Sequence, residues 1–271
     1  MREKMNISIT GNLGSGKSSV AKILKEKGYE IFSTGSVFRQ LAMEKGVSVE
    51  EFNRQVNEAA ERGDRSVDRM IDDTTARIDG ERDNVVFDSR LAWHFAPKSF
   101  KVFVITDINE SSRRVFNDSL RASSEAYRSQ EECRRALINR QKLETVRYKG
   151  IYGIDYYDMS NYNLVIESTS ASPDELAGEI LERLEEYRRG EFISMMELNP
   201  SSVQSAGNMD ANADSDCICV NEKGGVFTLY AGKSLLDSAL AANSKFIVVK
   251  VAKSEDGGED SFMNFSKMTE V

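Results

Sequence analysis

The feature that most constrains this chain is a glycine-rich segment close to its N-terminus. Residues 11–18 read Gly-Asn-Leu-Gly-Ser-Gly-Lys-Ser and match the pattern G-x-x-x-x-G-K-[ST] in full. The short apolar run 5–10 precedes this segment, and residues 17–27 after it place apolar side chains at helical spacing. A strand, a tight glycine loop and a helix in this order predict a phosphate-binding loop, and with it an α/β fold.

Each residue type in this loop suits the binding of nucleotide phosphates. Glycines let the backbone bend closely around the phosphates, and the amides at the start of a helix attract anions. Lys17 supplies a cation for the β- and γ-phosphates, and the Ser18 hydroxyl is a suitable Mg²⁺ ligand. The glycine spacing does not match the G-x-G-x-x-G pattern of dinucleotide-binding folds. We therefore predict an ATP site formed by Gly11, Asn12, Leu13, Gly14, Ser15, Gly16, Lys17, Ser18 and Ser19.

Strand and helix patterns alternate as far as residue 187. Apolar runs of strand length recur along this part of the chain, at 29–32, 84–88, 101–106 and 163–167. Helical periodicity lies between them, and Ser172-Pro173 opens a last amphipathic helix. Almost wholly apolar strands separated by helices predict a doubly wound parallel sheet of about five strands, of the P-loop NTPase type.

Composition changes after Arg189. Residues 199–215 are rich in Ser, Asn, Ala and Asp and have no periodicity, and strand and helix patterns return from Cys217. We predict a P-loop domain at 1–190, a linker at 191–215 and a small α+β extension of unknown role at 216–271. A chain that ends near Arg189 is then expected to fold and to keep its activity.

Charge and cysteine content restrict the partners and the compartment. The 271 residues carry a net charge of -8, whereas proteins that bind duplexes usually present a basic stripe. No apolar run reaches the ~18 residues of a membrane helix, and no signal peptide is evident. We therefore expect a cytoplasmic monomer without nucleic-acid or membrane partners. Cys217 and Cys219 are too few ligands for zinc, and we interpret them as buried thiols.

Residues that follow two of the predicted strands suggest a second substrate that carries phosphate. Thr34 and Arg39 come after the second strand, and Asp88 and Arg90 come after the third. Ligands of open α/β sheets bind at the carboxyl ends of strands, so these side chains can face one cleft. The alternatives are a solvated helix charge for Arg39 and a structural surface pair for Asp88 and Arg90. The chain has no Asn-Lys-x-Asp motif of the kind that reads guanine.

A third cluster lies on one predicted helix. Arg140, Glu144 and Arg147 are four and seven residues apart, which places them on one helix face. Arginine forks grip phosphate oxygens with two hydrogen bonds at once. A solvated helix face is the simpler alternative for the same pattern.

These segments resemble the cytidylate kinases of the nucleoside monophosphate kinase group, and most closely the archaeal type. The resemblance covers about residues 5–187 in the family's order. Beyond the P-loop, the matching blocks are STGSVFRQLAMEKGVSVEEF at 33–52, DRSVDRMIDD at 64–73, VVFDSRLAW at 85–93 and RYKGIYGIDYYDMSNYNLVIEST at 147–169. The last block is the most specific, because generic P-loop proteins lack it.

The resemblance implies that the γ-phosphoryl group of ATP is transferred to a pyrimidine nucleoside monophosphate, with CMP or dCMP favoured. ATP and Mg²⁺ would be the cofactors, and helical acceptor-binding and lid segments would surround the sheet. The implied acceptor-binding residues are Thr34, Arg39, Arg65, Arg69 and Arg90. The implied catalytic residues are Lys17, Asp88 and the lid arginines Arg140 and Arg147.

The chain departs from the family's pattern at four places, two of which are an enlargement at 124–130 and the tail after residue 190. Leu143 stands where much of the family has another lid arginine, and Asp88-Ser89-Arg90 replaces the more usual acid-Gly-Arg. Two other functions therefore stay open at this point: a kinase for another small acceptor, and a catalytically weak nucleotide-binding regulator.

Overall fold

The computed structural model describes residues 5–118, 127–192, 194–205 and 215–255. The strands within these residues are β1 (Ile7–Gly11), β2 (Glu30–Ser33), β3 (Val85–Asp88), β4 (Phe100–Ile105), β5 (Leu164–Glu167), β6 (Met195–Leu198), β7 (Val203–Gln204), β8 (Ile218–Lys223), β9 (Val226–Ala231) and β10 (Ile247–Glu255). The α-helices are α1 (Lys17–Glu26), α2 (Thr34–Glu44), α3 (Val49–Glu61), α4 (Ser66–Glu81), α5 (Ala92–Phe95), α6 (Ile108–Phe116), α7 (Gln130–Tyr152), α8 (Pro173–Arg188) and α9 (Lys233–Ala241).

These strands join one sheet in the order β2-β3-β1-β4-β5-β6-β10-β8-β9-β7. The pairs from β2 to β6 are all parallel. The predicted α/β class with a parallel sheet is therefore confirmed. The carboxyl ends of β1, β3, β4 and β5 meet along one edge, which is where ligands of such sheets bind.

Two hydrophobic cores cover the opposite faces of this sheet. Successive residues of a strand point to opposite faces, so Val102 and Val104 of β4 enter one core while Phe103 and Ile105 enter the other. The first core packs helices α1 and α8 onto the sheet. The second contains the tyrosines that follow α7 and also apolar residues of β8, β9 and β10. The strands of the C-terminal extension and the predicted P-loop domain thus share one core.

The C-terminal residues continue the sheet. Strand β6 lies inside the predicted linker, and it pairs with β5 on one side and, through Leu198 and Ile247, with β10 on the other. The expected strands and helix of the extension are present, but they follow β6 in the same sheet. Residues 206–214 of the predicted linker lie outside the described residues, and the division into three regions stays a prediction.

A buried carboxylate ties β6 to helix α8. Glu197 is 0% exposed, and its Oε1 accepts a hydrogen bond of 2.7 Å from Nε of Arg183. Burial, and then repulsion by Glu179, raises the pKa of Glu197 to about 7, while Arg183 lowers it. Glu167 at the end of β5 accepts further hydrogen bonds, from the Asn199 amide at 3.0 Å and the Ser202 hydroxyl at 2.8 Å. A chain that ends near Arg189 would lose these contacts. They therefore do not support the expectation that such a chain folds and keeps its activity.

Two other expectations can be compared with the structure. Cys217 and Cys219 are partly exposed, so their interpretation as buried thiols is wrong. They lie on the side of β8 opposite the buried Ile218 and Val220. Within the described ranges, no helix has the length and apolar character that a membrane crossing requires.

We predict that Arg183→Ala lowers the free energy of unfolding by about 1–3 kcal/mol at pH 8, because it leaves the buried Glu197 carboxylate without its hydrogen-bond partner. The loss should be smaller at pH 5. The folded-state pKa of Glu197 is about 7 and lies above its unfolded value, so at pH 5 the carboxyl is protonated and needs no cation.

Chemical denaturation at the two pH values measures this difference. Arg189→Ala is the matched control, since Arg189 pairs with Glu191 at the surface and its loss should change stability little. An equal effect of the two variants at pH 8 would contradict the proposed importance of the buried pair.

Candidate functional site

The predicted phosphate-binding loop turns at glycines whose backbone angles require this residue. Gly14 and Gly16 have φ angles of 78° and 85°, in the left-handed region. Gly11 has φ 152°, and a Cβ atom built on it would lie 2.2 Å from the backbone oxygen of Val104 in β4. The loop therefore leaves β1 against the backbone of β4, at a distance that only glycine allows.

Lys17 lies across the mouth of this loop and is 8% exposed. Its Nζ donates hydrogen bonds to the backbone oxygens of Gly11 at 3.0 Å and Asn12 at 2.7 Å. The cation is thus held by carbonyl oxygens within the loop. Negatively charged phosphate oxygens are stronger acceptors for an ammonium group than these neutral carbonyls.

Ser18 and Asp88 meet at the carboxyl end of β3. The Ser18 hydroxyl donates a hydrogen bond of 2.8 Å to Oδ2 of Asp88. A hydroxyl and a carboxylate beside a phosphate site are the oxygen ligands that suit Mg²⁺. Thr34 lies near Asp88, because it begins α2 directly after Ser33, and Ser33 pairs with Asp88 across β2 and β3.

Sequence reasoning missed two residues that support the loop from the side of β5. Ser168, which follows β5, donates a hydrogen bond of 2.9 Å to the backbone oxygen of Ser15 and shares another with Thr106. Arg114 of α6 donates to the backbone oxygen of Ser168 at 2.7 Å. The one available signal for Ser168 was its place after a predicted strand, at the same sheet edge as the loop.

A charged cluster joins the loop to helix α7. Arg90 donates to Oε2 of Glu144 at 2.9 Å and to the backbone oxygen of Gly11 at 3.2 Å. Arg140 donates to the other carboxylate oxygen of Glu144 at 3.0 Å. Burial alone would raise the pKa of Glu144, but Arg90 and Arg140 together lower it below its ordinary value. The structure therefore brings the predicted residues Arg90 and Arg140 together around one ionised carboxylate.

A second set of contacts connects α7 with α4. Arg147 grips Asp68 through two hydrogen bonds of 2.8 and 2.9 Å, and the Tyr152 hydroxyl donates to Asp72 at 2.7 Å. Burial raises the pKa of Asp72 to about 6, although the Tyr152 hydroxyl lowers it. The guanidinium of Arg65 lies 5.0 Å from the centre of the Tyr152 ring. Arg65 and Arg147 thus both lie where α4 contacts α7. The carboxylates of Asp68 and Asp72 were not predicted from the sequence.

The remaining predicted residues are exposed on the helices. Arg39 of α2 donates a hydrogen bond of 2.9 Å to the Ser36 hydroxyl, and Arg69 of α4 points to solvent. Leu143, at the position of an expected arginine, is 62% exposed. A cavity of about 90 Å³ between α3 and the start of α4 has Arg65 and Asp68 in its wall. It is too small for a nucleotide, since ligand sites usually enclose ~300 Å³ or more.

Comparison with known proteins shows that the sequence of this chain is similar to those of cytidylate kinases. The model of the cytidylate kinase-like family matches residues 6–170. A cytidylate kinase of Methanococcoides burtonii is 36% identical over 61% of this chain and 88% of its own length. One from Thermoplasma volcanium is 34% identical over 70% of this chain and 96% of its own length. Among solved structures, shikimate kinase from Aquifex aeolicus aligns over 69% of this chain and 99% of its own, with a TM-score of 0.44 and 19% identity.

We predict that Gly11→Ala severely destabilises the protein, because the added Cβ would overlap the Val104 backbone and φ at this position is positive. Soluble yield and the unfolding midpoint in denaturant measure the effect. Gly178→Ala in α8 is the control, since nothing lies within 4 Å of its Cβ position and alanine favours a helix. A Gly11→Ala protein as stable as the parent would contradict the close approach of β1 and β4.

Proposed function

Because the chain belongs to the cytidylate kinase-like family, we propose that it transfers the γ-phosphoryl group of ATP to CMP or dCMP in the cytoplasm. The observation that carries the proposal is the Gly11 carbonyl, which accepts hydrogen bonds from both Lys17 and Arg90. Lys17 belongs to the phosphate-binding loop, and Arg90 belongs to the charged cluster that joins this loop to α7. The side chains proposed to bind the donor phosphates and the acceptor phosphate thus donate hydrogen bonds to the same backbone oxygen.

The loop residues 11–19 would hold the phosphates of ATP. Their amides and the start of α1 provide donors and positive potential, and Lys17 would exchange its carbonyl partners for the β- and γ-phosphates. Ser18 and Asp88 would hold Mg²⁺, directly or through water, which neutralises charge on the transferring group. Phosphoryl transfer relies on positioning and charge stabilisation, and these residues supply both without a general-base histidine.

The acceptor would lie between the carboxyl ends of β2 and β3 and the helices α4 and α7. Thr34, Arg39, Arg65, Arg69 and Arg90 would bind the monophosphate, and Arg140 and Arg147 would close on the transferring phosphoryl group. Arg90 and Arg140 already share Glu144, and Arg147 is held by Asp68. Carboxylates that restrain these arginines before substrate binds reduce the conformational entropy lost on binding.

A direct test measures ADP release from ATP and Mg²⁺ with CMP, dCMP, UMP, AMP, GMP and dTMP. We expect the highest kcat/KM with CMP or dCMP. Lys17→Ala should lower turnover by roughly 10²–10³, the scale for losing a preorganised charge donor. Preference for another acceptor would overturn the proposed substrate, and no turnover with any monophosphate would overturn the proposed kinase activity.

The two groups of arginines should differ in kinetics. Arg39→Ala should mainly raise KM for the monophosphate, by about tenfold, because it removes binding that is present before and during the reaction. Arg147→Ala should mainly lower kcat, by about 10², because its partner charge develops in the transition state.

Neither variant should change the affinity for ATP greatly. Arg77→Ala is the control, since Arg77 pairs with Glu81 at the exposed end of α4. If both site variants lose ATP binding while KM for the monophosphate stays the same, the acceptor site lies elsewhere.

A further inference from the structure

Two thiols lie side by side where the C-terminal extension joins the sheet. Cys217 immediately precedes β8, and Cys219 is the second residue of this strand. Their Sγ atoms are 3.5 Å apart, and both side chains are partly exposed. A small reagent can therefore reach either sulfur.

The surroundings give the two sulfurs different chemical characters. The Cys217 amide donates to the Ser215 hydroxyl at 3.3 Å, and this hydroxyl is 3.6 Å from the Cys217 sulfur. Hydrogen bonds with Ser215 and then with Cys219 lower the pKa of the Cys217 thiol, whereas burial raises that of Cys219. Lys250, which pairs with Cys219 across β8 and β10, is a nearby cation for a thiolate. Cys217 is thus the better nucleophile, and Cys219 is the adjacent thiol that can complete an exchange.

A bond between these sulfurs requires the two Cβ atoms to approach to ~3.5–4.5 Å. Two residues of extended chain span ~6.6 Å between Cα atoms, within the usual disulfide range of up to ~6.8 Å, but they hold their Cβ atoms about equally far apart. The Cys217 backbone itself packs against Gly232, where a Cβ would lie 2.5 Å from the Cys217 oxygen. Closure therefore requires a local change of the backbone angles between Cys217 and Cys219, in addition to rotation of the two side chains.

We propose that Cys217 and Cys219 form a dithiol site that undergoes reversible exchange with low-molecular-weight disulfides. The Cys217 thiolate attacks one sulfur of the small disulfide, forms a mixed disulfide and expels one thiolate. The Cys219 thiolate then attacks Cys217 Sγ, closes the intramolecular disulfide and expels the second small thiol. The protein loses two electrons and two protons, and the small disulfide is reduced to two thiols. This site is independent of the proposed kinase reaction.

The test treats the reduced full-length protein with excess oxidised glutathione, then alkylates the remaining thiols and measures mass. We expect the parent to lose two hydrogens, to form a Cys217–Cys219 cross-linked peptide and to regain both thiols with a reductant. Cys133 is buried in α7 and serves as an internal control, since it should be alkylated only after unfolding.

Two variants separate the steps. Cys219→Ser should stop at a stable glutathione adduct on Cys217, and Cys217→Ser should react more slowly than this variant by about tenfold, because the better nucleophile is gone. The proposal is overturned if both thiols of the parent can still be fully alkylated after prolonged treatment. It is also overturned if the parent accumulates the glutathione adduct without forming the intramolecular disulfide, or if the disulfides formed join two chains.

Discussion

The backbone oxygen of Gly11 is the point on which the site depends. It ends β1 and accepts hydrogen bonds from the Lys17 ammonium and the Arg90 guanidinium, at 3.0 and 3.2 Å. Two cations this close repel each other unless acceptors lie between and around them. The Gly11 and Asn12 carbonyls and the Glu144 carboxylate supply those acceptors. The glycine at position 11 is in turn imposed by the backbone of β4, so the packing of the sheet determines where these charges lie.

Local patterns predicted the first five strands, the loop and the helices that follow it. Strand β6, Met195–Leu198, does not form a continuous apolar run, because Glu197 interrupts it, and its position depends on strands at both sides. The exposure of Cys217 and Cys219 was misjudged for a related reason. A strand-like stretch does not indicate which of its two faces will be covered, since that depends on elements elsewhere in the chain.

The candidate site also contains residues that the sequence predicted and residues that only the folded chain shows. Residues 11–19 were predicted because motif and context are contiguous in sequence. Helical spacing placed Glu144 beside Arg140, but its bond to Arg90 joins residues 54 positions apart and only the folded chain shows it. Ser168 contacts the loop and Asp68 contacts helix α7 through similar long-range hydrogen bonds. The roles proposed for these residues stay open to kinetic test.

The C-terminal strands also determine where the sheet ends. Without β6, the parallel strand β5 would present unpaired amides and carbonyls along its length. The described structure instead places β7, a strand of two residues, at that side of the sheet. Exposed strand edges are templates for pairing with other chains, and very short edge strands resist it. The extension thus covers the outer edge of β5 and moves that end of the sheet to β7 and the part of β9 that β7 does not pair with, so among the described residues it is the extension that would meet a neighbouring strand on this side.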